Sequence, residues 1–235
     1  MKTIYLLCGL LCDETVWETQ IQALKKQGYD ARPMSFQGFD SIAGMASHLL
    51  AEAPARFSLA GHSMGGRVAL EAYRQAPQRI ERLALLDTGY EPAVEEETEK
   101  RGRLVRKALA DGIEAIAETW ARPMIAPGRQ NDDELLHRIL SMVGRMSGEI
   151  YAGQTRALLT RPDAAPVLSG IHCPTLILCG AEDAWSPPER HRRMAASIPD
   201  SALRLIADCG HMSTMEKPEE VLAILEEWLA MPDSK

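Results

Sequence analysis

The stretch "RFSLAGHSMGGRVALEAYRQA", residues 56–76, changes character halfway along. Its opening is a short apolar run of the kind a strand covered on both faces requires. Its second half reads as a helix. Between them lies Gly61-His62-Ser63-Met64-Gly65, a G-x-S-x-G match at a strand-to-helix junction, the setting of a nucleophile elbow. Glycines two residues either side of the serine let strand and helix approach, so Ser63 can occupy a tight, strained turn. Its Oγ then projects into a cleft, where a helix N-terminus favours developing negative charge.

A serine hydroxyl is a poor nucleophile until a base takes its proton, so a histidine and an orienting carboxylate should follow. Of the six histidines, His48 and His137 fall within predicted helices and His191 at a polar helix start, positions of surface or packing residues. His172 stands at a strand entrance, and His62 adjoins the serine but points elsewhere on a tight turn. His211, in "IADCGHMSTMEKPEE", lies just beyond the last strand-like run and is the expected base. Asp183, in "LILCGAEDAWSPPER", follows the preceding strand and is the expected acid, with neighbouring Glu182 pointing away. Its rival is Asp87 in "LALLDTGY", at the end of the strand after the elbow. The chain order Ser63, Asp183, His211 is that of an α/β-hydrolase.

Working outward, strand-length apolar runs alternate with helical periodicity. "KTIYLLC" (2–8), "YDARPMSF" (29–36), 56–63, "ERLALLDTG" (81–89), "PTLILCG" (174–180) and "ALRLIADCG" (202–210) read as strands. Pro33 has no N–H for a ladder, which predicts an edge position for the second. Trp17, Ile21 and Leu24 mark a helix stopped at Gly28; Ser41 is a candidate N-cap for the next, and the last runs from Pro218 through Leu229. Such alternation implies a parallel sheet with helices on both faces. Residues 91–166 break it, reading as four short helices inserted into a core formed by 1–90 and 167–235. Within them, "EPAVEEETEKRGRLVRK" has acids first and bases last, as a solvated helix would, and no binding role is expected of it.

The totals narrow the function. With 235 residues, 46% of them hydrophobic, the chain can bury one well-packed core. A net charge of −7 and 5% aromatics argue against nucleic-acid partners, and no apolar run is long enough to span a membrane. "IYLLCGLLCDETVW" (4–17) superficially resembles an export signal, yet it follows a single lysine and runs straight into Asp13 and Glu14 with no small-x-small site. Five cysteines, Cys8, Cys12, Cys173, Cys179 and Cys209, show no CxxC or zinc-ligand spacing. Reduced thiols in a cytoplasmic protein are the expectation. Cys8 and Cys12 should be buried neighbours of the site, and the stretch should be a first strand retained for activity.

Through "LLCGLLCDETVW", "AGHSMGGRVALE", "PTLILCGAEDAWSPPE" and "CGHMSTMEKPEEV", the chain resembles the α/β-hydrolase superfamily over nearly its whole length. It looks most like small bacterial carboxylesterases of the pimeloyl-ACP methyl ester esterase and 3-oxoadipate enol-lactonase kind. Two departures stand out. Cys8-Gly9 replaces the family's His-Gly, and the first strand corresponds to the family's third, implying a six-stranded, mainly parallel sheet. "YDARPMSF" would be an open edge, a site for homodimer pairing.

The resemblance implies acyl transfer from an ester of a small or medium acyl group. Ser63 attacks, His211 moves the proton, and Asp183 orients the imidazole. Backbone N–H groups of Met64 and Leu10 form the oxyanion hole, with Trp17 anchoring the Leu10 turn. The helical insertion would cap Ser63, with Trp120, Met142, Met146, Tyr151 and Trp185 as candidate acyl-site residues. No metal or organic cofactor is implied, and a small-molecule ester is the expected partner. The same triad serves lactonases, thioesterases, C–C bond hydrolases and perhydrolases, and a non-catalytic ligand receptor on this fold is the remote alternative.

Overall fold

A computed structural model of the chain describes residues 2–232; residues 1 and 233–235, which sequence assigns to the core, lie outside them. Strands β1 (Thr3–Leu7), β2 (Asp30–Met34), β3 (Phe57–His62), β4 (Ile80–Leu86), β5 (Thr175–Gly180) and β6 (Ala202–Ile206) form one sheet. All its pairings are parallel, and the order is β2-β1-β3-β4-β5-β6. β3 and β5 are buried along their whole length, which is why their sequences are apolar without alternation. β2, carrying Pro33, is indeed an edge and only partly buried, and β6 is the other edge.

Chain order reverses between β1 and β3, so right-handed crossovers put helices on opposite faces. α1 (Glu18–Lys26) packs on the last helix, while α2 (Ile42–Glu52) packs on α3 (Met64–Gln75). The Ser41 hydroxyl accepts from Gly44 N–H at 3.1 Å, capping α2 as its sequence suggests. Trp17 lies not in α1 but in a 3-10 turn before it, fully buried. The reversal leaves a crevice at the carboxyl ends of β1 and β3, the place where open parallel sheets bind ligands.

Between β4 and β5 run α4 (Glu95–Asp111), α5 (Glu114–Ala121), α6 (Asp133–Val143), α7 (Gly148–Leu159) and the single turn α8 (Ala165–Leu168). Four principal helices match the expectation, but α4, at 17 residues, is not short. α9 (Pro188–Ser197) packs on β5 and β6; α10 (Ser213–Glu216) and α11 (Pro218–Leu229) complete the chain. β6 ends at Ile206, earlier than its apolar pattern implies, because Asp208 turns the backbone at φ 50°. His211 therefore sits on a loop after the strand rather than at the strand's end.

Candidate active site

Every chemically suggestive side chain at the sheet's carboxyl edge is held there by backbone geometry. Ser63 sits between β3 and α3 at φ 55°, ψ −116°, a conformation L-residues rarely adopt. Glycines make it possible: a Cβ on Gly61 would lie 2.3 Å from Gly65 O, and one on Gly65 would lie 2.4 Å from Leu7 O. Ser63 N–H donates to Leu86 O at 2.9 Å, and Thr88 Oγ1 donates to Ser63 O at 2.6 Å, so β4 locks the turn.

His211 Nε2 lies 2.8 Å from Ser63 Oγ, and its Nδ1 lies 2.8 Å from Asp183 Oδ2. The other Asp183 oxygen accepts N–H bonds from Trp185 and Ser186, each at 2.8 Å. Burial works against both charges, but their mutual attraction prevails. It lowers the Asp183 pKa and raises that of His211 above its ordinary value.

Two buried acids support this chain. Glu216, which the sequence reading passed over, accepts from Gly210 N–H (3.0 Å) and Met212 N–H (3.1 Å) on either side of His211, and from Ala126 N–H at 2.9 Å. His211 N–H itself donates to Met124 O at 2.7 Å. His211 is thus gripped between its own loop and the segment after α5. The turn "HMSTMEKP" mixes polar and apolar residues, so no local signal marked this carboxylate. Asp87, the rival acid, accepts from Gly180 N–H at 3.0 Å and from Ser213 Oγ. It makes no bond to His211, and burial and Asp183 push its pKa up. Cys179 with Asp87 and Asp183 brings potential ligand atoms within 4.8 Å of one another. Both carboxylates already spend their oxygens on these hydrogen bonds, so the trio reads as scaffold.

His62 and His191 are wholly interior. His62 Nε2–H donates to His211 O at 2.8 Å, and burial holds its pKa down to about 4. His191 was expected at a helix start on the surface or in packing, and it is fully buried. Its Nε2 accepts from Thr88 N–H at 3.0 Å, and its pKa is likewise pushed to about 4 by burial. Each is a neutral tie on a loop of the site.

Beyond β1, Trp17 Nε1–H donates to Leu7 O at 3.1 Å, adding a hydrogen bond to the packing foreseen for it. Leu11 adopts φ 57°, and its N–H donates to Gln154 Oε1 at 2.9 Å. Gln154, on α7 and fully buried, also donates to Phe36 O at 3.1 Å. No local pattern distinguished it. The N–H of Leu10 forms no hydrogen bond among the described residues, and Met64, first in α3, has no intrahelical acceptor. Cys8 and Cys12 are buried beside this turn, and burial raises both thiol pKa values, the opposite of a reactive cysteine.

A cavity of about 630 Å³ opens over Ser63 and His211, with Leu10 and Met64 in its wall. Trp120, Tyr151 and Trp185 line it; Met142 and Met146 do not. Met142 sits on the buried face of α6 with Ile139, on the helix packed against α5. Periodicity identifies an inward face without saying whether core or cavity lies behind it. The charged run of α4 also differs from expectation. Glu97, Lys100, Arg101 and Leu104, spaced to one helix face, front the cavity.

The fold and this serine-centred cavity define a hydrolase of the α/β class. The family model described as "Alpha/beta hydrolase family" matches residues 6–224, and the chain belongs to that family. It is 29% identical over 210 residues to a pimeloyl-[acyl-carrier protein] methyl ester esterase of Chromobacterium violaceum, covering 86% of this chain and 80% of that one. It is 25% identical over 247 residues to a Yersinia enterocolitica protein named as a carbamate hydrolase, RutD, covering 98% and 88%. Among solved structures, a thermophilic esterase from Thermogutta terrifontis superposes with a TM-score of 0.86 at 30% identity, covering 97% of this chain and 89% of that one. No helix among the described residues is long and apolar enough to cross a membrane.

Proposed function

We propose that the protein hydrolyses a carboxylic ester of a small or medium acyl group through a covalent Ser63 intermediate. The observation carrying this reading is the unbroken chain from Asp183 Oδ2 through both His211 nitrogens to Ser63 Oγ, each link 2.8 Å. His211 takes the Ser63 proton as Oγ attacks the ester carbonyl, and Asp183 stabilises the imidazolium. The alcohol leaves with that proton, and His211 then activates water to release the acid. The unbonded N–H groups of Leu10 and Met64 receive the oxyanion, a role worth about 2.7–4 kcal/mol per donor. This route draws on no metal or organic cofactor.

Trp120, Tyr151 and Trp185 form the acyl-site wall, and residues 91–166 act as a cap on the core of 1–90 and 167–235. Five cysteines without a disulfide suit the cytoplasm. The open β2 edge is a candidate dimer contact; a monomer in light scattering at micromolar concentration would remove it. A chain-length series of p-nitrophenyl esters tests the activity, with Ser63→Ala as control. Turnover together with fluorophosphonate labelling of Ser63 is expected; absence of both overturns the reading.

A further inference from the structure

The cavity wall is cationic in a chain whose net charge is −7. Arg67, Lys100, Arg101, Arg161 and Arg190 line it, faced by Glu97 and the buried Asp87. Three of the five cations are matched. Arg161 and Arg101 share Glu97, at 2.5 and 3.2 Å, and Arg190 pairs with Glu91 at 3.0 Å. Arg161 is further saturated by the carbonyls of Glu91, Pro92 and Leu158.

Arg67 and Lys100 are the remainder. Among the described residues neither has a carboxylate within 4.0 Å. Arg67 Nη1 donates to Glu91 O at 2.8 Å, whereas its Nε and Nη2 make no hydrogen bond among the described residues. Burial, Arg161 and Arg190 all press on this guanidinium and push its pKa below the ordinary arginine value. Such a group is stabilised by an arriving anion far more than by any neutral ligand.

The geometry of the free edge is specific. Nε and Nη2 present two parallel N–H groups, the fork that matches the two oxygens of a carboxylate. Arg67 follows Ser63 by four residues, one turn along α3. A Cβ on Gly89 would lie 2.7 Å from Arg67 Nη2, and Arg67, Gly89 and Thr88, the residue bonded to Ser63 O, all line the cavity. Lys100 Nζ stands 5.5 Å from the centre of the Trp185 ring, on the wall supplied by α4.

We infer that the substrate is a carboxylate-bearing ester, a monoester of a short dicarboxylic acid, with its free carboxylate held by the Nε/Nη2 edge of Arg67 and by Lys100. This rests on Ser63 as nucleophile. Cleavage breaks the acyl C–O bond, water's oxygen joins the acyl carbon, and the alcohol carries off one of water's hydrogens. The products are a dicarboxylate, a proton and the alcohol, with no change in oxidation state.

Calorimetry on the Ser63→Ala protein separates recognition from turnover. Monomethyl esters of succinate through pimelate are titrated against their dimethyl counterparts. The best monoester should bind at least tenfold more tightly than its diester, less so at high salt. Adding Arg67→Gln should lower that preference tenfold or more, and Arg67→Lys should restore part of it. Lys100→Gln, on an exposed site of α4, should lower it severalfold and carries the test if Arg67→Gln does not fold. Equal binding of acid and neutral esters, or a preference indifferent to both substitutions, overturns the inference. Turnover of p-nitrophenyl acetate without a monoester preference would sink the anion site alone. An Arg67-dependent preference in a wild-type protein inert toward every ester would sink the Ser63 reading alone.

Discussion

The loops at the sheet's carboxyl edge and the inner face of α4 meet across one cavity but are built on different principles. Ser63, Asp183 and His211 follow β3, β5 and β6, and their positions are set by sheet strands, close glycine contacts and backbone N–H bonds. The α4 face offers Glu97, Lys100 and Arg101 from a helix with only one buried residue, Ala108. The helix packs on α7 and α5, and its charged face is ordered by ion pairs, which solvent and salt weaken. On the proposed reading, the chemistry and Arg67 belong to the rigid wall, and only Lys100 of the anion site to the soft one.

Breaking the rigid wall should cost most. Ser63→Ala should reduce kcat roughly 10⁶-fold, the scale seen when a triad nucleophile is removed, measurable with p-nitrophenyl esters. Asp183→Asn should cost about 10⁴-fold by leaving the imidazole in the wrong tautomer. It also carries a pH signature. His211 must be neutral to act as base, and Asp183 raises its pKa, so the acidic limb of kcat/KM should lie above 6.5, the ordinary histidine value. In Asp183→Asn that limb should move to lower pH. A limb that stays in place would mean another group titrates.

At the seam between the walls, Gln154→Ala would orphan the buried Leu11 N–H. A loss of about 1–3 kcal/mol is expected in urea unfolding, accompanied by a fall in kcat as the Leu10 turn loosens.

The soft wall should respond to acid. Glu97 has its pKa lowered to about 2: burial opposes its charge, but the bonds to Arg161 and Arg101 outweigh it. The pair's stabilisation should be complete above pH 4.5, the ordinary value, and fade as pH falls toward about 2. Glu97→Gln should flatten that part of the stability profile. Further out, Lys107→Ala, which removes the exposed pair with Asp111 on α4, should shift stability by less than about 0.5 kcal/mol. A larger shift would show α4 to be stiffer than its exposure indicates.

The same contrast governs what the sequence revealed. The inner strands β1, β3, β4 and β5 were legible because burial on both faces forces nearly unbroken apolar runs, and the elbow because its close contacts admit only glycine at Gly61 and Gly65. His211 and Asp183 could be singled out by their places after strands. Glu216 and Gln154 act across 90 and 143 residues on Ala126 and Leu11, and no local pattern encodes such a partner. The charges of α4 read as solvated because helical spacing does not say what the charged face overlooks. Met142 and Met146 failed as wall residues for the matching reason on the apolar side.

The Gln154 bridge also bears on how such proteins can be recombined. Because α7 supplies the acceptor for Leu11 N–H, the helices between β4 and β5 are not an interchangeable cassette. A chimera whose grafted helices carry no acceptor at position 154 would leave the Leu11 N–H unbonded beside the turn at 9–12. Transplanting substrate preference would therefore require moving residue 154 and the turn at 9–12 together, as one unit of exchange.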